Sequence, residues 1–199
     1  MAEERKAGLG DIVVPGRECG ECTACCQYPT VDTPQVQHFA GVLCTHCTAK
    51  KGCGIYERRP DNCRTWECGY RVLQFLDESW RPDRSGILLD MTTEDIPSGF
   101  GPVGIGIELI GGFELISSPR LANLIGTLIE RKIPVFLRVP ATQPGWAGHK
   151  IFLNRILAPI VATRNLQAVQ ESLRGALEAG VKAPKKKIFL KHAPIESPP

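Results

Sequence analysis

All nine cysteines of this 199-residue chain lie between Cys19 and Cys68. Thiols recruited for general core packing would be scattered, so the concentration points to a local need for sulfur. The same stretch is rich in Gly, Thr, Pro and charge and poor in large apolar side chains. Such a segment cannot bury enough surface to fold alone, and a bound metal is the natural staple where thiols stay reduced. Reduced thiols are the expectation here. The N-terminus sets Glu3 and Glu4 beside Arg5 and Lys6 and offers no apolar core of a secretory signal. An odd cysteine count also fits a complete disulfide framework poorly. A cytoplasmic location follows as the expected compartment.

Other classes drop out on composition. No run approaches the roughly 18 apolar residues of a membrane span, the longest being about Ile156–Ala162, so no membrane partner is expected. A net charge of +3 is too small to argue for nucleic acid. Five lysines and no acid fall in residues 182–191, KAPKKKIFLK. The simplest reading is a solvated tail; weak contact with nucleic acid or an acidic protein partner is the alternative.

Four segments are expected: a flexible leader over 1–18, a cysteine-rich metal-binding module over 19–76, an α+β domain over 80–181 and the basic tail over 182–199. The expected fold is α+β, the module packing on a short, mostly antiparallel sheet with two or three helices. Within the module, Pro60–Leu76 reads as a helix with Pro60 at its start and Trp66, Tyr70, Leu73 and Leu76 on one face. Gly86–Met91 reads as a strand. Val103, Ile105, Ile107 and Leu109 alternate with Gly104, Gly106 and Glu108, a strand with one buried face. Gly111–Gly112 before Phe113–Ile116 suggests a hairpin return. Ser118 and Pro119 open a helix that buries Leu121, Leu124, Ile125 and Leu128. Ile133–Val139 and Lys150–Leu153 read as strands around a Pro/Gly-rich loop. A last helix over Arg164–Ala179 is expected to stop at Gly180.

The cysteines form two blocks. The first, C-x2-C-x2-C-C, holds Cys19, Cys22, Cys25 and Cys26. Two-residue spacing lets successive thiolates converge on one centre. Neighbouring side chains such as Cys25 and Cys26 diverge, which implies two metal positions, or one cluster with an additional thiol. The second block holds Cys44, Cys47, Cys53, Cys63 and Cys68. On a continuous helix Cys63 and Cys68 would stand about 140° apart and serve different sites. Either zinc or an iron–sulfur cluster, most simply a four-iron one, satisfies such ligands. Five basic and five acidic residues balance between Cys19 and Cys68, so thiolates there need compensating N–H donors. Arg58, Arg59 and Arg64 stand nearest Cys63, and Arg64 is the candidate for tuning a bound cofactor from just behind its ligands.

CGECTACC (Cys19–Cys26) followed by GCGIYERRPDNCRTWEC (Gly52–Cys68) resembles the YkgJ-like CxxCxxCC cysteine-cluster family of zinc- or iron-chelating domains. The resemblance covers about residues 17–75. It implies eight metal-binding cysteines: Cys19, Cys22, Cys25, Cys26, Cys53, Cys63 and Cys68, with either Cys44 or Cys47 as the eighth. Flagellin lysine methylases look like relatives with a similar cluster, where an iron–sulfur centre is implied. The resemblance stops before Trp80, so methyl transfer is not carried over. The expected function is metal binding, by an iron–sulfur cluster or zinc. An iron–sulfur-dependent modifying enzyme and a zinc-stapled interaction module are the alternatives.

Weaker signals read structurally. Gly99–Gly104 fits G-x-G-x-x-G but contains Pro102 and runs into a strand, so it reads as a loop. His46 is a secondary candidate ligand between Cys44 and Cys47, while His38, His149 and His192 read as surface or structural residues. Asp90, Glu94 and Asp95 read as a solvated acidic turn, and Trp146 as packing.

Overall fold

The computed structural model describes residues 13–141 and 143–192. The thiol-bearing stretch is built from minimal elements. β1 (Val31–Asp32) pairs with β2 (Gln37–His38), and β3 (Cys47–Thr48) with β4 (Gly52–Cys53), both antiparallel. Short helices α1 (Asp61–Thr65), α2 (Gly69–Val72) and α3 (Pro82–Ser85) follow. Two-residue ribbons carry few hydrogen bonds, so this stretch is held by what it packs against.

That support is a four-stranded sheet of β5 (Ile87–Thr92), β6 (Gly104–Leu109), β7 (Val135–Val139) and β8 (His149–Phe152), in that spatial order. β5–β6 and β7–β8 are antiparallel and β6–β7 parallel. The parallel step needs a crossover, supplied by α4 (Pro119–Glu130). Helices α5 (Leu153–Val161) and α6 (Leu166–Lys182) complete the layer on the same face. Ile105, Ile107 and Leu109 of β6 join Leu89, Val135 and Leu137 in one core with Leu121, Ile125, Leu157 and Leu173 from the helices. The α+β expectation is met, and among the described residues no helix is long and apolar enough to cross a membrane.

Several local expectations are corrected. The Pro60–Leu76 helix breaks into α1 and α2 because Trp66 and Cys68 are extended. Cys68 forms a β-bridge with Asp90, which a helical backbone could not make. A Cβ on Gly69 would stand 2.7 Å from the Leu89 Cβ, so α2 starts almost on the sheet. Strand β6 is buried at every residue rather than on one face, with Pro134 and Ile96 over Gly104 and the Asp90 and Arg138 side chains over Gly106. Phe113–Ser117 is a 3-10 turn leading to α4, not a hairpin return. Helix α5 lies in an apolar run noted above only for its length, and it carries Pro159. Its Asn154 reaches β7, the Oδ1 accepting from Val135 N at 2.7 Å and the Nδ2 donating to the Ile133 carbonyl at 2.8 Å.

Residues just inside both limits of the described chain are tied down. Residues 1–12 of the expected leader and 193–199 of the expected tail lie outside the described residues. Val14 N donates to Arg71 O at 2.8 Å, and the Arg17 guanidinium donates to carbonyls at the end of α2, including Leu73 at 2.8 Å. The lysine-rich segment keeps Lys182, Lys186, Lys187 and Lys191 exposed, as expected, but its backbone is tied to the fold. Lys187 bridges Trp146, and Lys191 N and His192 N donate to the Asp32 carboxylate at 2.7 and 3.1 Å.

Gly180 does not stop the last helix; it sits inside α6 against the sheet. A Cβ there would meet Val139 Cγ2 at 2.7 Å and Ile151 Cδ1 at 2.9 Å, whereas Gly175 on the same helix faces open space. Gly→Ala gains about 1 kcal/mol of helix propensity, but overpacking costs about 1–3 kcal/mol. Gly175→Ala is therefore expected to raise stability in urea unfolding and Gly180→Ala to lower it. Equal shifts for both would refute the close-packing account.

Candidate metal centre

The sheet face turned away from the helices carries Leu88, Asp90 and Thr92 on β5, Glu108 on β6 and Arg138 on β7, and the thiol segment docks against it. Leu88 packs with Ala24, Cys68 and Tyr70, with Cys22 and Trp66 at the rim. A second apolar knot, Val36 with Cys44 and Cys47, takes in Cys26 and Val31. Between these knots and the sheet lies a cavity of about 830 Å³. Every cysteine except Cys47 lines it, together with His38, His46, Arg59, Arg71, Asp90 and Arg138.

All nine cysteines are free thiols. Burial is the leading cause that raises Cys19 to about 11 and Cys68 to about 12, with the Cys25 charge adding to both. Burial likewise raises Cys22, Cys44, Cys47 and Cys63. The Cys25 and Cys26 sulfurs stand 4.0 Å apart, so these neighbours do not diverge as expected but face the same cavity. Cys25 is lowered by a hydrogen bond from Cys26, and Cys26 is raised in turn. Among the described residues no three His, Cys, Asp or Glu side chains are grouped so as to hold a metal ion as they stand. The thiols surround a common space without converging on a point.

Two of the polar groups around that space, the Arg71 and Arg138 Nε donors, suit an anionic occupant, whereas Asn62 Oδ1 calls for a donor. Among the described residues three buried side-chain atoms lack a hydrogen-bond partner: Asn62 Oδ1, Arg71 Nε and Arg138 Nε. All three residues line this cavity. A buried unpaired N–H costs about 1–3 kcal/mol, and thiolate or sulfide sulfur is an acceptor suited to relieve it. Arg71 is held by Glu67 at 2.8 Å and by the Tyr56 hydroxyl at 3.3 Å.

Arg64 does not take the place expected for it. Helix α1 turns it outward into an exposed ion pair with Asp61 at 3.1 Å, and it does not line the cavity. Arg59 lies close enough to Cys63 to lower it, and Arg71 acts in the same way on Cys19. Of the histidines, His38 is buried and lines the cavity with His46, His149 meets the Pro184 carbonyl at 2.8 Å, and His192 meets Asp32. Asp90 is no solvated turn residue: it is buried and paired with Arg138 at 2.6 Å. Gly106 makes room for that pair, since a Cβ there would meet Arg138 Nε at 2.6 Å and collide with the Asp90 carboxylate. Asp90, Arg71 and Arg138 had no spacing signal to reveal them; only the register across the sheet and the break before α2 bring them to the thiols.

Compared with models of known families, with curated proteins and with solved structures, the chain matches none.

Glu108 beside this pair gives a pH test of the buried face. Burial pushes its carboxyl up to about 7, against the pull of Arg138. Its folded value lies above its unfolded one, so its protonated form favours the fold. That contribution is complete below about pH 4 and is lost as pH rises to about 7. Glu108→Gln is expected to gain up to about 3 kcal/mol at pH 8 and nothing below about pH 4, read from urea midpoints. A gain independent of pH would overturn this account.

Proposed function

We propose that this is a metal-binding protein whose thiol-lined cavity holds iron–sulfur chemistry. The observation that carries the reading is the coincidence, among the described residues, of eight cysteines with the partnerless Arg71 and Arg138 Nε donors on one cavity. The resemblance to the CxxCxxCC cysteine-cluster family supports it independently. A cluster is favoured over a lone zinc ion because, among the described residues, no three side chains are grouped to hold a single ion as they stand. Four thiolates on one tetrahedral ion at about 2.3 Å would crowd to about 3.8 Å from one another. A four-iron cluster would be held by thiolates around a wider space, and Arg71 and Arg138 would offer N–H donors to its sulfur.

The cavity continues beyond the thiols to Thr92 and Arg138 on the sheet and to Glu94 just after β5. That space favours a second reading, an iron–sulfur-dependent modifying enzyme, because it provides a cleft beside the proposed cluster.

Anaerobic purification is expected to yield a brown protein with visible absorption and matching iron and acid-labile sulfide. Colourless protein with stoichiometric zinc would replace the cluster with structural zinc; metal-free protein would sink both.

Metal energy here is also folding energy. Anaerobic chelation is therefore expected to abolish amide-exchange protection over residues 19–68 while β6, β7 and α4–α6 keep theirs. Unchanged protection in the thiol segment would contradict a stapling role.

A further inference from the structure

We propose that the β1–β2 ribbon is a flap over the thiol cavity and that the lysine-rich segment is its latch, closed on Asp32. The inference goes beyond metal binding and does not depend on what the cavity holds.

The ribbon forms one wall of the cavity. Val31 of β1, Val36 between the strands and His38 of β2 line it, with Pro29 and Thr30 on the approach. Its apolar contacts are few: Val36 packs on Cys44 and Cys47, with Val31, Leu43 and Cys26 at the rim. That knot is separate from the core shared by the sheet and its helices. Paired strands of two residues with so little buried surface open at low cost unless something distant holds them.

The distant hold comes from beyond α6. The Asp32 carboxylate accepts from Lys191 N at 2.7 Å and from His192 N at 3.1 Å, with the His192 ring Nδ1 at 3.0 Å. The segment that supplies these groups is itself fixed to the loop before β8. Ala147 N donates to the Lys186 carbonyl at 2.8 Å, and Ile188 N donates to the Gly145 carbonyl at 2.9 Å. Gly145 also approaches the ring of Phe39, just after β2, where a Cβ would stand 3.8 Å from Phe39 Cζ. The same bridged pair of segments thus meets the ribbon on β1 and just past β2.

The hold is polar, and so it can be released. Lys186, Lys187 and Lys191 are exposed, and Phe189, the largest apolar side chain of the segment, is 83% exposed. Little apolar surface opposes release, which leaves the carboxylate clasp to keep the flap shut. Opening it uncovers the side of the cavity that Val36 shares with Cys44 and Cys47. The Cys22 and Cys68 side, packed on Leu88 of the sheet, stays covered.

The test is amide hydrogen exchange of the full chain as purified. Asp32→Ala, which removes the acceptor, should speed exchange at residues 31–47 about tenfold or more. Lys191→Pro, which removes one donor, should act on the same residues. Asp32→Asn keeps an acceptor oxygen and should restore most of the protection. Lys186→Ala removes a charge but no backbone bond and should change nothing. In all four variants α2 and β5–β8 should exchange as in wild type. Unchanged exchange in both Asp32→Ala and Lys191→Pro overturns the latch. A rise spread equally over the sheet, or a wild-type ribbon that is already unprotected, overturns it as well.

Discussion

The bridge between Cys68 and Asp90 is the contact on which the rest of the molecule depends. It fastens a segment with no adequate core of its own to a sheet that has one. Tyr70, almost wholly buried, and Leu88 seal the joint on one side, and Arg17 anchors the approach to α2 on the other. Because the bridge needs extended backbone, it breaks what would otherwise be one helix. That break separates Cys63, on α1, from Cys68, on the sheet edge. Local helical preference over five residues amounts to a few tenths of a kcal/mol per residue. Docking the segment onto the sheet gains more than continuing the helix would.

The docked face is unusual for a protein interior. Asp90 and Glu108 are buried there, and burial raises both carboxyls. Gly104 and Gly106 supply no side chains, so the thiol segment does not meet the continuous apolar surface that a buried strand usually presents. A face built for stability alone would carry valine and isoleucine at these positions. The polar choice lowers stability and creates a cavity wall with both donors and acid groups.

Much of this was legible from sequence, for reasons that differ by element. The alternation in β6 and the amphipathic pattern of α4 are local signals, and the core each predicts is found except for Val103, which lies before β6 and is exposed. Cysteine spacing signalled a single sulfur-rich locus, and eight thiols do share one cavity. What escaped depends on partners distant in the chain. Gly180 looked like a helix stop because glycine favours helix ends, but its missing Cβ serves the approach of α6 to Val139 and Ile151. Arg64 was favoured for its proximity to Cys63 in sequence, yet one helical turn carries it outward while Arg71 and Arg138, from other elements, face the thiols. A lone arginine carries no periodic signature.

The Asp90–Arg138 pair shows why the polar wall is better explained by the cavity than by stability. A partly buried ion pair offsets its own desolvation at best, and apolar replacement is often neutral or favourable. The pair nevertheless shapes its surroundings: it requires Gly106 in the strand between its two members, and it leaves Arg138 Nε without a partner. Asp90 holds one terminal nitrogen of Arg138, which fixes the guanidinium at the cavity edge while its Nε remains available. Arg71 repeats the arrangement, pinned by Glu67 through one terminal nitrogen with its Nε unpaired. Two arginines from unrelated elements, each oriented by a buried carboxylate and each with an unused donor, converge on the same sulfur-lined space. Such agreement costs stability at every step, and an acceptor bound among the thiols is what would offset it.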